Sequence, residues 1–281
     1  MTAKTKQKVA AASSLVILLI FAVFTLAPFV FLLISSFKPG VELIRNGISL
    51  NPQFELMSFD NYKLLLTARE GIYPHWYKNS LIITFIYTLT SLFFTSLVGY
   101  GLAMYKFRGR ELIFSIVLIV MMIPIEILIL PLYKLSTNMR IIDTYWGVVL
   151  PFMVSPISIF FFRQYATGLP KEYMDAARID GCTEFGIYFR IMMPLMLPAF
   201  GAMAILNAMS SWNGFVWPLI VLRSNHKLTL PIGLASLLTP YGNSYDLLLS
   251  GSVMSVIPIV IIFLLNQKAF ISGLTVGGVK G

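Results

Sequence analysis

The sequence predicts an all-α polytopic membrane protein, with six transmembrane helices and one long cytoplasmic loop. Three observations carry this. The 281 residues are 57% hydrophobic and only 12% charged, against about 45–50% and about 25% in soluble domains. The mean hydropathy is +0.81. The apolar residues are also gathered into runs long enough to cross a bilayer. A soluble fold of this size could not hide that much apolar surface, and a disordered chain would not contain it. A lone cysteine, Cys182, leaves no disulfide framework and no cysteine metal site.

A bilayer core of about 30 Å takes about 20 helical residues. The candidate spans are 15–37, 81–105, 112–133, 145–162, 199–222 and 247–265. Transmembrane strands would alternate apolar and polar residues, and these runs do not. The first run follows Lys4, Lys6 and Lys8, as a signal peptide would, but it is too long for a signal core and is expected to stay. The net charge of +9 could point to nucleic acid. The basic residues lie singly or in short clusters between apolar runs, however, which is the pattern of membrane topology, and no nucleic-acid partner is expected. The N-terminal lysines and the turn Lys106-Phe107-Arg108-Gly109-Arg110 are placed in the cytoplasm, which puts both termini inside.

The inner loop, residues 163–198, is the unusual segment. Pro170 suits the first turn of a helix, and Glu172 and Asp175 favour its positive end. Gly181 stops that helix, Thr183 caps a second, and Pro194 ends it. Ala176 and Ala177 make one side thin enough for a protein surface to approach. Met174, Ile179 and Phe185 offer apolar contact, while Asp175, Arg178 and Asp180 offer charge. An amphipathic helix resting on lipid headgroups is the competing reading.

The stretch Asp175-Ala176-Ala177-Arg178-Ile179-Asp180-Gly181, followed by Ile191-Met192-Met193-Pro194, resembles the EAA loop of binding-protein-dependent ABC importers. That pattern is Glu-Ala-Ala, three residues, Gly, nine residues, Ile-x-Leu-Pro. The spacing is intact, with Asp175 for the usual Glu and Met193 for the usual Leu. Other fragments resemble the carbohydrate-importer permeases (maltose/oligosaccharide type): Phe107-Arg108-Gly109-Arg110, Leu169-Pro170-Lys171-Glu172, Trp212-Asn213, Leu230-Pro231-Ile232-Gly233-Leu234 and the tail from Gly273 to Gly281. This favours a protein contact over the lipid reading.

The resemblance implies a type I ABC importer permease fold, one permease domain over residues 1–281, in a bacterial cell (inner) membrane. It implies a second permease subunit, a pair of ATPase subunits below and an extracytoplasmic solute-binding protein above. Glu172, Asp175, Ala176, Ala177, Asp180 and Gly181 become the ATPase-coupling positions. No Gly-x-x-x-x-Gly-Lys-Ser/Thr loop occurs in the sequence, and Gly278-Val279-Lys280-Gly281 is no substitute. No cofactor is therefore expected in this chain, with ATP and Mg on the partner ATPase.

Polar groups inside a bilayer tend to face a bundle interior or a water-filled cavity. In the fifth span Asn207, Ser211, Trp212 and Asn213 offer hydroxyls, amides and an aromatic face, the chemistry of a carbohydrate path. The serines equally suit a helix-packing face. Residues four apart nearly align on a helix, so Met209, Asn213 and Trp217 are expected to form one stripe, with Phe215 opposite. Glu126 is the only acid within a span. It follows Pro124, which is expected to bend the helix. It contacts either a sugar hydroxyl or the partner chain, or stays protonated or paired inside the protein. An ion-coupled secondary transporter would be expected to show internal repeats and several intramembrane carboxylates. An enzyme is disfavoured, since the only histidines, His75 and His226, lie in outer loops without HExxH or G-x-S-x-G. Sugar import, of an oligosaccharide first, is the expected function, and glycerol-3-phosphate import is its nearest alternative.

Overall fold

The computed structural model describes residues 3–47, 53–239 and 242–275. Its helices are α1 (Ala3–Ser36), α2 (Gly40–Asn46), α3 (Asp60–Met104), α4 (Arg110–Met121), α5 (Ile125–Asn138), α6 (Tyr145–Val149) and α7 (Pro156–Thr167). After these come α8 (Glu172–Ile179), α9 (Glu184–Ile187), α10 (Met193–Leu195), α11 (Leu197–Trp212), α12 (Val216–Val221), α13 (Leu230–Ala235) and α14 (Tyr245–Thr275). One small hairpin pairs β1 (Leu238–Thr239) with β2 (Gly242–Asn243), antiparallel. The end of the Gly273-to-Gly281 tail, from residue 276, lies outside the described residues.

The chain divides into two compact units, Met1–Tyr73 with Leu234–Ile257 and Pro74–Gly233 with Pro258–Gly281. In the first, α1 is apolar on every face and packs almost nothing of its own chain; Leu18 is 65% exposed. Between Leu15 and Ile34 its one hydroxyl, on Thr25, donates to the carbonyl of Phe21 at 2.8 Å, which spares lipid an unpaired polar group. At the end of α1, Asn61 Nδ2 donates to the carbonyls of Ser36 (2.8 Å) and Lys38 (2.7 Å), which the helix leaves without partners. Gly40 N donates to the Asp246 carboxylate, and the Tyr73 hydroxyl to the carbonyl of Gly251 at 2.9 Å. These bonds tie α2 and α3 to the first half of α14.

In the second unit the core sits around Phe162, Ile187, Met192, Met196 and Met203, all buried. Gly99 lets α3 and α7 touch: a Cβ there would stand 2.6 Å from the Phe162 Cβ and 2.9 Å from Arg163 N. Small residues allow this kind of close backbone approach between membrane helices.

Among the described residues, three helical stretches are long and apolar enough to cross a membrane, at Ala11–Ser36, Phe54–Met104 and Tyr245–Leu265. Two bent pairs raise the number to five if each is one span. The third expected span is one of these pairs, broken between α4 and α5 with a bend of 104°. Pro124 sits at that break and caps α5 with an extended backbone, as its missing N–H and the strain it puts on the preceding turn require. The fourth expected span, 145–162, is not one helix. It folds as α6 and α7, parted where Pro151 and Pro156 interrupt the ladder and Ser155 caps α7. The fifth expected span stops at Trp212 and resumes at Val216. The loop's second helix does not end at Pro194. It continues through a π-helical turn, Tyr188–Met192, to Leu195, and then bends by 77° into α11. Pro194 cannot donate to the carbonyl four residues back, and a widened turn accommodates that loss.

Candidate functional site

The loop between α7 and α11 folds as its caps dictate. Gly181 takes φ +78°, the left-handed conformation that glycine adopts freely. Its N–H bonds the Arg178 carbonyl (3.1 Å) and the next N–H, of Cys182, reaches back to Ala177 (2.9 Å). This is a Schellman closure of α8. Thr183 then caps α9, its hydroxyl accepting from Gly186 N at 3.1 Å.

The two alanines have different surroundings. Ala177 is buried with Met174 in the core of the unit, against Tyr100 and Tyr188, whereas Ala176 is exposed. Glu172, Asp175, Asp180 and Gly181 are exposed as well. Beside them stand Ile179, 87% exposed, and Phe185, 74% exposed. The loop thus presents an apolar pair within a ring of charge, while its inner side is fixed to the chain's own core.

Arg178 organises that ring. Its Nε and one terminal nitrogen donate to both Glu184 oxygens (2.8 and 3.2 Å), and its other nitrogen to Asp175 Oδ1 (3.0 Å). The Tyr105 hydroxyl donates to Glu184 at 2.5 Å. The hydrogen bonds from Arg178 and Tyr105 hold the Glu184 carboxyl below its ordinary value, and Glu184 in turn raises that of Arg178. α8, α9 and the C-terminal end of α3 are therefore joined by one network. The sequence singled out Asp175 but not Glu184 or Tyr105, because their link to Arg178 depends on the fold of the glycine turn.

The expected solute-path residues are only partly brought together. Asn207 is buried in a polar contact between helices: its oxygen accepts from the Ser158 hydroxyl (3.2 Å) and its nitrogen donates to Ser91 Oγ (3.2 Å). Trp212 is buried against Tyr77, edge to face with centroids 5.7 Å apart. Both pack helices. Asn213 caps α11, is exposed, and donates to the Met209 carbonyl at 2.9 Å. Glu126 is exposed in the first turn of α5 and makes no hydrogen bond or ion pair among the described residues.

Ser211 reaches a cavity of about 290 Å³, walled also by Ser210, Tyr87, Phe152, Phe215 and Trp217. The stripe expected through Met209, Asn213 and Trp217 does not extend past Asn213, because the chain leaves the helix there. Trp217 turns inward, 7% exposed, and its Nε1 donates to the Gly147 carbonyl at 3.0 Å. Phe215, expected on the opposite side, lines the cavity with Ser211.

A second polar centre was not foreseen. Asp143, at φ +59°, accepts from Arg223 N (3.0 Å), Ser224 N (3.1 Å), Ser224 Oγ (2.5 Å) and Lys227 Nζ (3.1 Å). Burial pushes its carboxyl up, but the bonds from Ser224, the Arg223 amide and Lys227 outweigh this and hold it well below its ordinary value. Asn79 pins the same segment by donating to the carbonyls of His226 (2.8 Å) and Leu228 (2.9 Å). Asp143→Asn should speed amide hydrogen exchange at residues 223–228 roughly tenfold or more, since a hydrogen bond to a charged group contributes about 1.5–3 kcal/mol. A group whose folded value is depressed stabilises fully above its unfolded value, about 3.9, and loses that effect as pH falls through the folded value. The tether should therefore be constant between about pH 5 and 8 and weaken below about pH 4, measurable as a loss of protection, relative to the intrinsic exchange rate at each pH, that is confined to acid.

A helical chain with stretches apolar enough to cross a membrane, broken helices and a cavity beside them has the build of a membrane transport subunit. The family described as binding-protein-dependent transport system inner membrane component matches residues 95–274, and this chain belongs to it. It is a permease component and not an enzyme, and it is a multi-pass protein of the inner membrane. Among its relatives, the arabinooligosaccharides transport system permease protein AraQ of Bacillus subtilis (strain 168) is 59% identical over 256 residues, 91% of each chain. AraQ of Halalkalibacterium halodurans is 57% identical over 254 residues, 90% of this chain and 91% of that one. The lactose transport system permease protein LacG of Rhizobium radiobacter is 30% identical over 259 residues, 92% of each. A bacterial ABC transporter that imports the acidic polysaccharide alginate has the same fold, with a TM-score of 0.81 at 24% identity, covering 94% of this chain and 98% of that one. The resemblance read from the spacing between Asp175 and Pro194 is thus borne out.

Proposed function

We propose that this chain forms one half of the translocation pore of an ATP-driven oligosaccharide importer, with an arabinooligosaccharide as the first candidate cargo. The identity of 59% to AraQ over 91% of both chains carries this reading. Neither glycerol-3-phosphate import nor ion-coupled transport is favoured by the relatives. The second permease subunit and a pair of ATPase subunits complete the machine, with the exposed face of α8 against the ATPase. A solute-binding protein delivers the sugar from outside; the related alginate transporter has been crystallised with its periplasmic protein. The proposed orientation keeps both termini in the cytoplasm. Ser211 and Asn213, with Glu126 near the bend at Pro124, border the proposed path, while Asn207 and Trp212 hold the helices that form it.

Two measurements test this. Deleting the gene should abolish uptake of labelled arabinotriose, and restoring it should return uptake; unchanged uptake after deletion refutes the cargo assignment. The purified chain should hydrolyse no ATP, and activity should require a separate nucleotide-binding subunit that copurifies with it. Hydrolysis by the chain alone, free of contaminating ATPase, counts against the division of labour.

A further inference from the structure

Two independent features converge on the cavity beside α11. The first is backbone. The break between α4 and α5 and the break between α11 and α12 both border it, through Ile125 and through Gly214 and Phe215. Irregular backbone at membrane depth is tolerated only where protein buries it or where it lines a water-filled cavity. Discontinuous helices also frame the solute sites of other transporters.

The second feature is the state of the hydroxyls. Thr25, Thr90, Thr95 and Thr137 each return their hydroxyl to a carbonyl one turn back, the usual way a helix satisfies such a group in lipid. The hydroxyls of exposed Ser210 and half-buried Ser211 and Tyr87, all on the cavity wall, have no hydrogen-bond partner among the described residues; those of Thr84 and Thr88 on α3, off the wall, lack one as well. Leaving the wall hydroxyls unmet in a dry cavity would be costly. The aromatic side chains of Phe215, Phe152 and Trp217 line the same cavity. The indole is fixed by its bond to Gly147, and Phe152 meets it edge on at 5.7 Å. No charged side chain among the described residues lines the cavity.

We propose that this cavity binds one ring of a neutral sugar in transit, with Phe215 and Trp217 against its C–H faces and Ser210, Ser211 and Tyr87 bonding its hydroxyls. The volume of about 290 Å³ stands at the lower edge of small-molecule clefts, roughly 300–1,000 Å³, which suits one ring at a time and not a folded chain. The absence of a charged wall residue selects neutral rings over uronic acids or phosphates, whose charge would enter unpaired. The assignment rests on the importer reading above and adds that this subunit itself touches the sugar.

The test uses the assembled importer, both permease subunits with ATPase and binding protein, in proteoliposomes. Wild-type uptake of arabinotriose is measured first, since its failure defeats the importer reading and not the cavity alone. With uptake established, Ser211→Cys is labelled with a water-soluble methanethiosulfonate and followed by mass spectrometry of the peptide that contains residue 211. Labelling should proceed, and arabinotriose with its binding protein should slow it at least fivefold. Leu219→Cys, exposed on α12 but away from the cavity, should stay unlabelled. Phe215→Ala should raise the KM for arabinotriose uptake about tenfold at an unchanged yield of the assembled importer. Labelling of residue 211 that is blind to sugar, its cross-linking to the second permease subunit, or an unchanged KM in Phe215→Ala each overturns the assignment.

Discussion

Gly181→Pro and Asp175→Lys are each expected to reduce sugar uptake at least tenfold while the protein still reaches the membrane. At φ +78° position 181 lies far from the roughly −65° that a proline ring imposes, and proline also removes the N–H that bonds the Arg178 carbonyl. The Schellman closure cannot form, so the exposed face of α8 loses its orientation to α9. Asp175→Lys acts differently. It removes the partner that Arg178 holds at 3.0 Å and sets two cations one helical turn apart on the proposed ATPase face. Membrane yield should stay near wild type, because both positions are exposed and fill no core volume. The measurement is uptake in cells against the amount of permease in isolated membranes. Wild-type rates in either variant remove the loop from the coupling role.

The second large effect is expected at Glu184. It receives Arg178 through both oxygens and Tyr105 through one, so Glu184→Ala removes the polar link between α8 and the C-terminal end of α3 in one substitution and leaves only the apolar contact of Met174 and Ala177 with Tyr100. Thermal stability should barely move, since exposed ion pairs contribute little. The sugar transported per ATP hydrolysed should fall severalfold, with the ATPase still bound. Arg178→Ala should have the same effect, and the double variant should be no worse than either, because groups that act as one unit give non-additive losses. Independent losses that add in the double variant, or a normal transport ratio in Glu184→Ala, would show that the network only decorates the surface.

The sequence made the class of fold legible because hydropathy is a sum over many residues, and the family resemblance of the loop from Asp175 to Pro194 legible because its spacing is local. The glycine stop at 181 and the cap at Thr183 fall where the residues place them. What was not legible came from prolines and from distant partners. Pro124 was expected to bend its helix, but Pro151, Pro156 and the pair Gly214-Phe215 sit in apolar runs whose hydropathy continues across the break. A span assigned by hydropathy therefore passes over them, and the cavity they open goes unseen. Asn207 looked like a path residue because an amide in a span is expensive. The structure offsets that cost with Ser91 and Ser158, residues 116 and 49 positions away. Asp143 gave no signal at all, because its partners lie beyond residue 220 and its backbone conformation is one that no local residue pattern announces.

The exposure of α1 on all its faces has a consequence for how that segment changes over time. Within its own chain no neighbouring side chain dictates the shape of Val16, Leu19 or Phe24; the requirement is only that the segment remain oily. Exchange of one apolar residue for another between residues 15 and 30 should be nearly silent, whereas a single lysine or aspartate at the middle of the helix carries an insertion cost of about 2.5–3.5 kcal/mol. This stretch therefore drifts freely in wording while holding its composition. A mutational scan of it should return a profile that follows hydropathy and ignores side-chain volume, the reverse of what Gly99, held against Phe162, would give.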